Sequence, residues 1–104
     1  MSASTVSADA APSGPDGEKL LAAGDKVALR LWDEGPVSGK KPHKNQYETV
    51  GYAIEGEATL TLGGSETKLT PGLSWVVPAG AEHFYSVDGH FKAVEATSPP
   101  ARPR

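Results

Sequence analysis

The side chains best suited to chemistry lie in two short stretches, His43, Asn45, Tyr47, Glu48 and Thr49 in one and His83 and Tyr85 in the other, with Glu95 alone in an apolar run beyond them. A neutral imidazole carries one hydrogen-bond donor and one acceptor, and its unprotonated nitrogen suits borderline first-row ions. His43 and His83 therefore offer either a metal contact or hydrogen bonds to an anionic or carbonyl-bearing ligand. Glu48 would complete a two-His, one-carboxylate set for Fe, Mn, Ni or Zn if an irregular strand entry turned it inward. On a regular strand Glu48 and Thr49 point to opposite faces, and Glu48 is then a solvated edge residue. Asn45 and Thr49 supply a neutral amide and a neutral hydroxyl, and with Tyr47 and Tyr85 they are the candidate ligand-binding groups. No catalytic residue is assigned. His90, beside Gly89 at a turn, is expected to be exposed. Glu95 is expected to face outward, because an inward charge needs a partner; inward, it would be a candidate general acid or base.

The elements that must position these groups are short strands. Residues 26–32 alternate Val27, Leu29 and Leu31 on one face with Ala28, Arg30 and Trp32 on the other, the period of a strand with one buried side. Residues 48–54 form the next strand, turned at Glu55-Gly56, and 58–62 is expected to pair back with it as a meander. Gly63-Gly64, Pro71-Gly72 and Pro78-Ala79-Gly80 then separate strands at 67–70 and 73–77, and 83–87 with 91–96 reads as a hairpin around Asp88-Gly89. Only 18–23 suggests helix, a turn or two. Gly51 and Ala53 share the parity of Thr49, so the interior there is either widened or filled by a bulky neighbour such as Trp75 or Phe84. Seven or so short strands with hardly any helix indicate a β-sandwich or barrel.

Between an immunoglobulin-like sandwich, an SH3-like barrel and a jelly roll, turn chemistry does not choose. The order of Pro42-His43-Lys44-Asn45, Tyr52-Ala53-Ile54-Glu55-Gly56, Pro71-Gly72 and Val76-Val77-Pro78-Ala79-Gly80 followed by His83 resembles the cupin superfamily. Its first motif runs G-x5-H-x-H-x(3,4)-E-x6-G, and its second contains P-x-G-x2-H. Counted back from Gly56, His43 falls on the first histidine, Asn45 on the second and Thr49 on the glutamate, while His83 falls on the histidine of the second motif. The resemblance covers about 41–97. It implies an all-β fold, a double-stranded β-helix or jelly-roll barrel, in which the four motif positions converge on a divalent metal. Two of the four are neutral here, which implies a weak or non-standard site at His43 and His83. The expected function is a small single-domain cupin binding a small molecule in its barrel. Alternatives are a metal-dependent oxygenase or isomerase completed by Glu48, and a metal-free interaction or sensor domain.

Composition bounds the partners. A net charge of −3 and no basic cluster beyond Lys40-Lys41 argue against a nucleic-acid surface. No apolar run is long enough to cross a bilayer as a helix, and the first residues lack a basic and an apolar signal region, so no membrane role and a cytoplasmic location are expected. Without cysteine there is neither a disulfide nor a thiolate metal site. The polar stretch 1–17 is expected to be disordered, 18–97 to form one barrel domain, and 98–104 to be a Pro-rich tail. So small a core, with Val50, Tyr52 and Ile54 on the outer parity of their strand, points to a homodimer.

Overall fold

Alternation of side chains decides nearly everything about this architecture. The computed structural model describes residues 3–102, in which eight strands appear: β1 (Lys19–Ala23), β2 (Ala28–Glu34), β3 (Glu48–Gly56), β4 (Ala58–Leu62), β5 (Ser65–Leu69), β6 (Ser74–Val77), β7 (His83–Ser86) and β8 (Phe91–Ser98). They form a five-stranded sheet in the order β1-β2-β8-β3-β6 and a three-stranded sheet in the order β5-β4-β7. Every pairing is antiparallel. The fold is the expected all-β jelly roll.

Three local expectations fail, each for a physical reason. Residues 19–23 are a strand rather than part of the helical turn expected over 18–23, since Lys19 and Leu20 pair with Leu31 and Arg30 of β2 and so short a segment cannot hold a helix by itself. The 48–54 and 58–62 strands do not pair with each other. β3 lies between β8 and β6, whereas β4 lies between β5 and β7, so Gly56 is a corner between sheets. Its φ of 71° and the approach of the His90 carbonyl leave no room for a Cβ. Likewise Asp88-Gly89 does not close a hairpin, because β7 pairs with β4 and β8 with β2 and β3. A jelly roll crosses between its sheets at such corners, and a sequence turn signal looks the same in either case.

The two inner faces meet in a core of Ala53, Ala58, Leu60, Leu69, Val77, Val87, Phe91 and Ala93. Three alanines among eight buried members leave interior space beside the core that aliphatic side chains do not fill. The expected bulky filler is Trp75: a Cβ on Gly51 would overlap its indole. Outside the barrel proper, Leu20 N–H donates to Pro12 O at 2.9 Å and Arg102 Nη2 donates to Leu21 O and Leu29 O at 2.7 and 3.0 Å, so both flanking segments lie against β1 and β2. Among the described residues no helix is long and apolar enough to cross a membrane.

Candidate functional site

The inner face of β2 carries Arg30, Trp32 and Glu34, and that of β8 carries Phe91, Ala93, Glu95 and Thr97. In the β2–β8 register Arg30 is directly opposite Glu95. Arg30 Nε donates to Glu95 Oε1 at 2.8 Å, with the two side chains only 11% and 3% exposed. Trp32 Nε1 donates to the same oxygen at 2.6 Å, and Tyr85 OH, reaching across from the smaller sheet, donates to Oε2 at 3.2 Å. Trp75 Nε1 in turn donates to Tyr85 OH at 3.1 Å. Gly51 makes this last bond possible, since it lies between Glu95 and Trp75 in register and leaves the indole free to lie over it.

A buried charge is tolerable only when paired and hydrogen-bonded, and Glu95 meets both conditions. For Arg30, burial by itself would lower the pKa; the attraction of Glu95 and the bond to the Tyr47 hydroxyl outweigh it and the net direction is upward. Arg30 is also flanked by aromatic faces, its guanidinium carbon 5.3 Å from the Trp32 ring centre and 5.5 Å from that of Tyr47. Burial, and then the neighbouring Glu95 charge, push Tyr85 far above the ordinary tyrosine range. Its hydroxyl is therefore a neutral donor that orients Glu95 and not a base.

At the other end of the same cavity are the two imidazoles. His43 and His83 form an isolated antiparallel bridge, each N–H donating to the other's carbonyl at 3.0 Å, and their ring centres lie 4.5 Å apart. His83 Nδ1 lies 2.9 Å from Ala81 O. A carbonyl oxygen only accepts, so Nδ1 carries a proton, and in the neutral imidazole Nε2 is then the nitrogen with the lone pair. The cavity between the two ends has a volume of about 180 Å³, and His43, Asn45, Tyr47, His83 and Tyr85 all line it.

Two proposed site residues do not. Thr49 is buried at the β3 junction with Val77 and Thr97 but is absent from the cavity wall. Glu48 is exposed, on the opposite face of β3 from Thr49, and is likewise absent from the wall. Among the described residues no third His, Asp, Glu or Cys joins the imidazole pair in a metal-sized cluster. Two imidazoles with a neutral amide nearby do not fit a tightly held first-row ion, which needs at least a third strong donor.

Glu95 corrects a further expectation: it faces the interior, 2% exposed, and borders the cavity. Arg30, Trp32, Glu34, Lys40 and Asp16 also line it and were not singled out from sequence. Asp16 is brought there by a tight turn in which its N–H donates to Glu18 Oε1 at 3.0 Å. His90 is exposed as expected and pairs with Asp33.

A family model described as Cupin domain matches residues 30–97. The chain belongs to the cupin family. It is 31% identical over 75 residues to the uncharacterised protein SCO3923 of Streptomyces coelicolor, a match covering 71% of this cupin and 70% of that protein. It is 30% identical over 60 residues to the HTH-type transcriptional regulator PuuR of Escherichia coli, covering 58% of this chain but only 32% of the regulator. Among solved structures, an RmlC-like cupin from Shewanella frigidimarina superposes with a TM-score of 0.78 at 19% identity, covering 96% of this cupin and 94% of that chain. At that identity the likeness is one of fold.

Proposed function

We propose that this cupin binds a small molecule in the cavity between the Arg30–Glu95 pair and the two imidazoles. The supporting observation is that cavity itself: about 180 Å³ with a buried ion pair on one side and His83 Nε2 unpartnered on the other. The volume lies below the roughly 300–1,000 Å³ of drug-sized sites, which suits a ligand of modest size. His43 and His83 would contact a divalent ion weakly, with no protein carboxylate beside them to hold it. An oxygenase or isomerase completed by Glu48 is disfavoured, since that residue would have to leave the outer face of β3.

Two copies would associate through the outer face of the larger sheet. Leu29, Val50, Tyr52 and Val76 are between 39% and 51% exposed there, and the register places Val50 beside both Val76 and Ala96, and Ala96 beside Leu29. Such a contiguous apolar face is the ordinary substance of a subunit interface.

The test is a fragment panel titrated against isotope-labelled protein, with the Trp32 indole N–H signal as reporter. Saturable shifts from some fragments are expected, and no response across the panel would refute the reading. In parallel, Mn²⁺ broadening of the Tyr85 signals, whose ring lies 5.9 Å from that of His83, should need high metal concentrations, vanish in His43→Ala/His83→Ala and be unchanged in Glu48→Ala.

A further inference from the structure

The donors that Arg30 and Tyr47 leave unused decide what kind of small molecule the cavity takes; this step rests on the ligand-binding reading above. Arg30 spends Nε on Glu95 and one Nη1 proton on the Tyr47 hydroxyl at 3.3 Å. Its Nη2 has no partner among the described residues, yet it is not one of the sealed, unsatisfied nitrogens. The outer edge of the guanidinium therefore opens onto the cavity that Arg30 lines. Tyr47, which accepts from Arg30, still has its own hydroxyl proton to give. The aromatic faces of Trp32 and Tyr47 hold the guanidinium plane, so this edge is a fixed fork rather than a mobile charge.

We infer that the Arg30 edge and the Tyr47 hydroxyl form the anchoring site for the carboxylate of a small monoanionic ligand. A planar carboxylate matches a guanidinium edge with two parallel hydrogen bonds, each stronger than a bond between neutral groups. The charge balance of the wall selects against heavier anions. Arg30 and Lys40 face Asp16, Glu34 and Glu95, one acid more than bases when all are ionised. Burial, the largest influence on Glu34, raises its pKa toward the neutral form, which relieves part of that surplus. A phosphate-like dianion would still meet net repulsion, whereas a single charge can be carried by the unshared side of Arg30. A neutral ligand would leave the free Nη2 donors less well compensated than an anion does.

The experiment compares acetate and benzoate with acetamide and benzamide at equal ionic strength, reading the Arg30 Nε–H and Trp32 indole signals by NMR. Carboxylates are expected to bind roughly ten- to hundredfold more tightly than the matching amides, the range for one or two charged hydrogen bonds. Arg30→Gln should abolish that preference. Tyr47→Phe leaves the Arg30–Glu95 pair intact and should weaken carboxylates about tenfold and amides by clearly less, since a hydrogen bond to a charged group is the stronger one; it decides the matter if Arg30→Gln fails to fold. Equal binding of amides and carboxylates, or a preference that survives both substitutions, overturns the carboxylate site and leaves the ligand-binding reading standing. If neither probe class moves these signals while other fragments do, the carboxylate site alone fails. If no fragment of any kind does, both readings fail.

Discussion

Replacing Glu95 with alanine should be the most damaging single change that can be made to this domain without touching its aliphatic core. The carboxylate is 2% exposed and accepts from Arg30, Trp32 and Tyr85. Its removal strands a guanidinium that is itself only 11% exposed, so solvent does little to soften the loss. Breaking a buried pair by deleting one partner costs about 3–5 kcal/mol, against a total of roughly 5–15 kcal/mol for a domain of this size. Urea titration followed by tryptophan fluorescence should show the midpoint falling by about a fifth or more, and the thermal midpoint should drop by roughly 12 °C or more. The double variant Arg30→Met/Glu95→Leu removes the stranded cation along with its partner and should be more stable than Glu95→Ala, although the Trp32 and Tyr85 donors then depend on cavity water. A loss below about 1 kcal/mol in Glu95→Ala, the level of an exposed pair, would refute the buried-network argument. So would a double variant that is no better than the single.

Gly51→Ala should destabilise by about 1–3 kcal/mol, because the new Cβ overlaps the Trp75 indole in the middle of a strand paired on both sides; an unchanged urea midpoint would show that Trp75 can move at no cost. Glu34 has its pKa raised from the ordinary 4.5 by burial and then by Glu95, with Lys40 opposing. The folded value lies above the unfolded one, so stability tied to the neutral form is complete below pH 4.5 and is lost as pH rises through the folded value. Wild type should therefore lose stability relative to Glu34→Gln over that interval, and parallel stability curves would contradict the shift. Val50→Lys puts a charge inside the outer apolar face, between Val76 and Ala96, and should shift a dimer toward monomer in sedimentation velocity; unchanged association would exclude that face as the interface.

The strands from β2 to β8 were legible because alternation and turn residues act locally, whereas the choice of a jelly roll, and with it the meeting of His43 and His83, was legible only because motif order carries it across forty residues. Sheet assignment at Gly56 and Asp88-Gly89 was not, since a tight turn within one sheet and a corner between two use the same residues. The charged half of the cavity was missed for a different reason. Glu95 in a mostly apolar strand looks like a solvated edge residue unless its partner is known, and that partner is 65 positions away. The available signal was a second oddity of the same kind, Arg30 alternating with Ala28 and Trp32 on one face of β2. Opposite charges at 30 and 95, each flanked on its own strand parity by uncharged residues (Ala28 and Trp32, Ala93 and Thr97), are a stronger sign of an internal pair than either is by itself.

The same pair bears on why β2 and β8 show the faces they do. Hydrophobicity does not choose for β2: Val27, Leu29 and Leu31 would bury at least as much apolar surface as Ala28, Arg30 and Trp32, at about 1.5–3 kcal/mol for each aliphatic side chain. Yet Leu29 is 39% exposed and Ala28 is buried. A one-residue slip between β2 and β8 would turn the leucines inward, but it would also move Arg30 away from Glu95 and leave a buried carboxylate facing no cation. A stranded charge at about 3–5 kcal/mol offsets the gain from one or two aliphatic side chains, so the slip brings no clear advantage. The pairing of Arg30 with Glu95 therefore weighs against that slip. The apolar outer face is what that register leaves behind, and the cavity wall is what it sets in place.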